Sequence, residues 1–286
     1  MSHSKLRISG MLSSCLAALA LAAFIFAYFP VWRDLIGAWS GSPESSHGFF
    51  IIPISAFLVW KKSGTLSTLQ AEGSTVGLFI VILSLLLYLF AHYAEIMTLR
   101  SLSMVPLAAG IVVYLYGFCG LKELIFPIAL LLFMIPIPSQ IYSYLTIPLQ
   151  LFVSKISVWA AALLGVPVFR EGNVIHLPDR TLQVVRACSG MRSMVSLLTL
   201  SAVFAYITLK SNLLRTIMFL SGVPIAIFVN MLRVLVVILA FHYLNLDFSR
   251  GTPHTIIGIS VFAIAFVILA TLKGVISTWD RSPAQS

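Results

Sequence analysis

Long apolar runs that never alternate with polar residues constrain this chain more than any other feature. From Val76 to Phe90 the only residues that are not large and apolar are Gly77 and Ser84, and no charge interrupts Thr255 to Thr271. A closed β-barrel needs short segments with a period of two. Runs of about 20 apolar residues instead match the length at which an α-helix crosses a bilayer. Of 286 residues, 59% are apolar and only 9% charged. A soluble domain of this size cannot cover itself with so little polar surface. The fold class is therefore all-α and polytopic.

About eight transmembrane helices are expected, over roughly 11–30, 48–60, 76–94, 101–119, 123–138, 190–209, 214–241 and 255–273. The first follows Lys5 and Arg7 and has no clear cleavage site before Pro30, so it reads as an uncleaved helix. Those two charges put the N-terminus in the cytoplasm. Alternation then puts Lys61, Lys62, Lys122, Lys210, Arg215, Lys273 and Arg281 on the same side, which obeys the positive-inside rule. The segment 139–169 is awkward. Gln140, Ser143, Gln150, Ser154, Lys155 and Ser157 interrupt it, and Pro136, Pro138 and Pro148 break its start. It is expected to be an interfacial or re-entrant element on the outer face. Over 174–185, β-branched residues around Pro178-Asp179 predict a short hairpin, a small cap on that face. No internal repeat or soluble appendage is visible, so residues 1–286 read as one integral membrane domain.

The net charge of +9 does not point to nucleic acid, because the charges are scattered between apolar runs and form no basic stripe. Contact with the lipid bilayer and loop orientation account for them. Three cysteines, Cys15, Cys119 and Cys188, give no framework of paired loop cysteines.

Ionisable groups at membrane depth are costly and are functional candidates by default. Ala187-Cys188-Ser189-Gly190-Met191-Arg192-Ser193 sets a thiol at a probable helix N-terminus. The partial positive charge of that end favours a thiolate. Arg233 interrupts an apolar run, and Asn230 lies one turn before it on the same face. Few acidic residues exist to pair with this arginine, so an oxyanion or a substrate carboxylate is the better partner. His254 follows Gly251-Thr252-Pro253, where the last run begins, and can serve as general base and acid. Ser46-His47-Gly48 opens the second span, and a histidine at such an entrance is a weaker candidate. Arg170, Arg180, Arg186, Arg192, Arg233 and Arg250 all fall on the outer side of this map. Arg192 and Arg186 lie nearest the thiol and would draw an acidic peptide. No His-Glu-x-x-His, Gly-x-Ser-x-Gly or phosphate-loop pattern occurs. Cysteine, histidine and arginine together supply an acyl-transfer site without metal or cofactor.

The block at Cys188, Asn230-x-x-Arg233 and His254-x-x-x-Gly258, together with Ser46-His47-Gly48, Pro53 and Gly172-Asn173-x-Ile175, resembles the exosortase/archaeosortase family. The resemblance spans about 39–260. It implies a membrane-embedded cysteine protease and transpeptidase of the bacterial inner membrane, with its active site facing the periplasm. Its substrates would be membrane-anchored proteins with a C-terminal sorting signal of the PEP-CTERM kind: a Pro-Glu-Pro-like motif, one helix and a basic tail. By position it makes Cys188 the nucleophile, Arg233 the essential arginine and His254 the third member. Arg186 departs from it, standing where an acidic residue is expected. The competing reading is a transporter or polysaccharide-assembly protein without proteolytic activity. A transporter should show broken spans in two related halves, and none are evident.

Overall fold

The structure, a computed structural model, describes residues 21–42, 44–69, 74–178, 180–183, 191–246 and 251–279, with Cys15, Ala18 and Leu19. For Arg180, Gln183, Met191, Arg192, His254 and Trp279 it describes the backbone alone. The protein is an all-α polytopic membrane protein with one small sheet. It divides into two compact units, residues 1–138 and 139–286.

Five helices among the described residues are long and apolar enough to cross a bilayer, or six if one bent pair is a single span. The expected count of eight is not reached. Two of the expected spans are short helices, and two others are joined in one.

In the first unit, α1 (Leu21–Ala27) and α2 (Phe29–Gly41) meet at an angle of 68°. The break falls at Tyr28, and Pro30, in the first turn of α2, has no N–H to continue the bonding of α1. Tyr28 at the corner is fully buried, and its hydroxyl hydrogen-bonds Ser103 Oγ at 2.9 Å. After α3 (Gly48–Lys61) and the single turn α4 (Ser63–Leu66) come α5 (Thr75–Tyr93) and α6 (Met97–Leu130), which form a tight hairpin. A Cβ on Gly77 would lie 2.2 Å from the Tyr114 amide nitrogen, so only glycine allows this approach.

Helix α6 is not one straight rod. At Gly117 the backbone leaves the helical region, with φ 65° and ψ −169°. Thr98 Oγ1, near its start, lies 3.5 Å from Pro136 O, beyond its end. A straight helix from 98 to 130 would be about 50 Å long, so the chain folds back at Gly117. The first leg packs on α5. The second packs antiparallel to α3, with Ser55 Oγ donating to Pro127 O at 2.9 Å and Lys62 Nζ 2.7 Å from Glu123 Oε2. The expected spans 101–119 and 123–138 are thus the two legs of one helical element.

In the second unit, α7 (Ser139–Leu163) runs unbroken across Pro148, and it is long and apolar enough to cross. One unbroken helix thus stands where an interfacial or re-entrant element was expected. Of the residues that interrupt its apolar run, Gln150, Ser154 and Ser157 are buried, as is Thr146, whereas Gln140, Ser143 and Lys155 are exposed. Its exposed face carries Tyr144, Leu145, Phe152, Trp159 and Leu163. Ser157 Oγ donates to Met231 O at 3.1 Å, which ties α7 to α9 (Asn212–Leu244).

The expected hairpin is present and gains a third strand. Strands β1 (Phe169–Glu171), β2 (Val174–Leu177) and β3 (Arg180–Gln183) form an antiparallel sheet in that order. Ile175 pairs with Leu182, and both bury their side chains against Val153, Ala161, Val234 and Val237. Gly172, with φ 61°, makes the β1–β2 turn in a conformation that glycine adopts without strain. The sheet therefore rests on α7 and α9.

Helix α8 (Met191–Thr208) and α10 (Gly251–Trp279) flank α9, both antiparallel to it. Ser201 Oγ of α8 sits 3.3 Å from Phe219 O, beside Gly222. Arg215 Nε donates to Leu209 O at 2.9 Å at one end of this bundle, where Lys210 also lies. Met191, Leu244 and Gly251 mark the opposite end. There Asn245, with φ 53°, caps α9 in the left-handed conformation, its N–H bonded to Ala240 O.

Candidate active site

The three motifs belong to α8, α9 and α10 of the second unit. Met191 opens α8, which puts Cys188 three residues before that helix. Cys188 and Arg186 lie outside the described residues. Arg192 occupies the first turn of α8. Helix α10 opens at Gly251, so Thr252 and Pro253 fall in its first turn, where the missing N–H of proline costs nothing. His254 follows in the same turn and lies one turn before Gly258 on the same helix face.

Arg233 projects from α9 toward α10. Its Nη2 would be 3.9 Å from a Cβ placed on Gly258, so the guanidinium stands beside that glycine at a distance that leaves room for one methyl. Asn230, one turn earlier, is only 4% exposed. Its Oδ1 is buried and has no hydrogen-bond partner among the described residues. A buried polar group in that state costs about 1–3 kcal/mol, a cost retained where the group serves a ligand.

Asn230 lines a narrow cleft between the three helices. Ser193 and Leu197 come from α8, Ala226 and Val229 from α9, and Gly258, Val261, Phe262 and Ala265 from α10. Ser193 stands five residues after Cys188, and Gly258 four after His254. Ser193, Asn230 and Gly258, one residue from each of the cysteine, asparagine–arginine and histidine motifs, therefore line one cleft, on the side of the bundle away from Lys210 and Arg215. The sequence did not single out Ser193 as a cleft wall. Its signal was its place in the cysteine motif, five residues past the thiol.

His47 belongs to the first unit. Its ring bridges two main-chain carbonyls: Nε2 lies 2.9 Å from Phe133 O and Nδ1 3.1 Å from Glu44 O. Burial lowers the imidazole pKa from its ordinary value, and the two carbonyls pull it back up without cancelling the shift. Trp39 covers the neighbouring Gly48 and donates from Nε1 to Met134 O at 2.9 Å. The Ser46-His47-Gly48 turn is thus tied to the end of the second leg of α6. Both ring nitrogens thus face main-chain carbonyls, and the neutral ring, with one N–H, donates to one of them.

Among the described residues, no three His, Cys, Asp or Glu side chains gather as they would around a metal ion. The sequence also gave no sign of the Arg100–Asp34 ion pair, at 2.9 Å, which joins α6 to α2 across 66 positions.

The fold is that of a polytopic helical membrane protein, with Ser193, Asn230 and Gly258 lining one cleft between three helices. The family model for the transmembrane exosortase (Exosortase_EpsH) matches residues 39–271, and the chain belongs to that family. No curated protein and no solved structure matches it.

Proposed function

We propose that this protein is a cysteine transpeptidase of the bacterial inner membrane that removes a PEP-CTERM-type C-terminal sorting signal from exported, membrane-anchored proteins. The observation that carries the reading is the convergence of Ser193, Asn230 and Gly258, with Arg233 against Gly258, from three separate sequence motifs.

In this reading the Cys188 thiolate attacks the scissile carbonyl. The tetrahedral oxyanion that forms is stabilised by Arg233, whose planar guanidinium suits such a charge. His254 hands a proton to the departing amine as the carbon–nitrogen bond breaks. The thioester left on Cys188 then passes to an acceptor nucleophile, with His254 taking up that nucleophile's proton. Arg186 and Arg192 attract the acidic residue of the sorting motif. The whole chain acts as one membrane domain, with the cleft end facing the periplasm. That orientation sends Lys210 and Arg215 to the cytoplasm, in accord with the positive-inside rule.

Co-expression with an epitope-tagged protein bearing such a signal tests the proposal. Wild type should shorten the substrate, and Cys188→Ala should leave it full length at the same membrane level of enzyme. Equal shortening by both would reject the cysteine mechanism.

A further inference from the structure

We propose that the Asn230 carboxamide receives a backbone N–H of the substrate at the point where the peptide passes into the bilayer. The inference rests on the sorting reading and assigns a contact within it. Asn230 lies within the apolar part of α9, lines the cleft and is 4% exposed, and its Oδ1 is buried with no hydrogen-bond partner among the described residues. Such an oxygen accepts a hydrogen bond and carries no charge, so it suits a neutral N–H donor and not a carboxylate.

The cleft around it selects further. Ala226, Gly258 and Ala265 are small, and Leu197, Val229 and Val261 are apolar. Small residues admit main chain at close range, and apolar walls exclude the water that would otherwise satisfy it. Within hydrocarbon every peptide N–H needs a partner inside protein. The first turn of a helix is where such groups have none of their own. Asparagine oxygen is among the best acceptors for those groups at helix starts. A peptide whose extended segment turns into a transmembrane helix beside Cys188 brings such N–H groups to the level of Asn230.

The test uses purified full-length enzyme and a synthetic peptide that spans the sorting motif and the start of the helix of a protein the wild type processes. Each peptide N–H is replaced in turn by an ester oxygen. Asn230→Leu keeps the side-chain size and removes the unmet polar group. It should melt no lower than wild type and process the parent peptide about tenfold less efficiently in kcat/KM, roughly the loss of one hydrogen bond. One ester position should cost wild type about the same factor and cost Asn230→Leu nothing more. A lower melting temperature for Asn230→Leu would make Asn230 a structural residue and overturn the inference. So would undiminished processing by that variant, or the absence of any ester position that behaves this way. Cys188→Ala is run alongside. If it is inactive while Asn230→Leu is fully active, only this inference fails. If Cys188→Ala cleaves normally, the catalytic reading fails and this one with it.

Discussion

Gly258 should tolerate one added methyl and reject a longer side chain, because of its distance from Arg233. A Cβ there would stand 3.9 Å from Nη2, an ordinary van der Waals separation. Gly258→Ala therefore leaves the guanidinium in place. It also removes a glycine from within α10, which favours the helix by about 0.5–1 kcal/mol. Leucine carries further carbons, the first about 1.5 Å beyond Cβ. They enter the space of the guanidinium and displace it by about 1 Å or more. A misplacement of that size costs on the order of 100-fold in rate, equivalent to about 2.7 kcal/mol. The assay is processing of a tagged substrate by purified variants, with melting temperature measured on the same samples. Gly258→Ala should be as active as wild type and slightly more stable. Gly258→Leu should be about 100-fold slower with its fold retained. Full activity of a folded Gly258→Leu would refute the placement of Arg233 as the oxyanion partner.

Gly117→Ala should destabilise the protein by about 1–3 kcal/mol, since φ 65° with ψ −169° is a region that alanine scarcely visits; thermal melting in detergent checks this, and unchanged stability would contradict the fold-back of α6. His47 titrates below its ordinary value of about 6.5 because burial disfavours the charged ring. As pH falls, the unfolded chain takes up this proton first, so the contribution of His47 holds above about pH 6.5 and is lost below it. Melting should therefore decline from pH 7.5 to 5 less steeply in His47→Gln than in wild type; an opposite difference would mean that the two carbonyls, not burial, govern the ring.

The apolar runs made the fold class legible, because lipid demands helices of a given length whatever their packing. The sequence could not reveal which faces pack. In α7 the buried Gln150, Ser154 and Ser157 looked like interruptions that would keep the segment out of the membrane, whereas they face the protein. The second leg of α6 likewise depends on Gly117, one glycine among 17, whose positive φ is a tertiary fact. The hairpin at Pro178-Asp179 could be read because turn chemistry is local. Strand β1 could not, since Phe169–Glu171 is short and pairs only through its turn at Gly172. For the site, Arg233 and Asn230 were conspicuous by their polarity in an apolar run. Ser193 and Gly258 become visible as cleft walls only when α8 and α10 are set against α9. Ion pairs such as Arg100–Asp34 leave no trace in spacing.

The central claim is that Cys188 carries the substrate as a thioester, and the most direct measurement is the mass of that intermediate. Wild-type enzyme incubated with substrate, quenched in acid and digested should show the acyl fragment on the peptide that contains Cys188. The adduct should disappear on treatment with hydroxylamine, and Cys15 and Cys119 should remain unmodified in the same sample. Substrate turnover with Cys188 free at every time point, or with the adduct on another residue, would contradict the account.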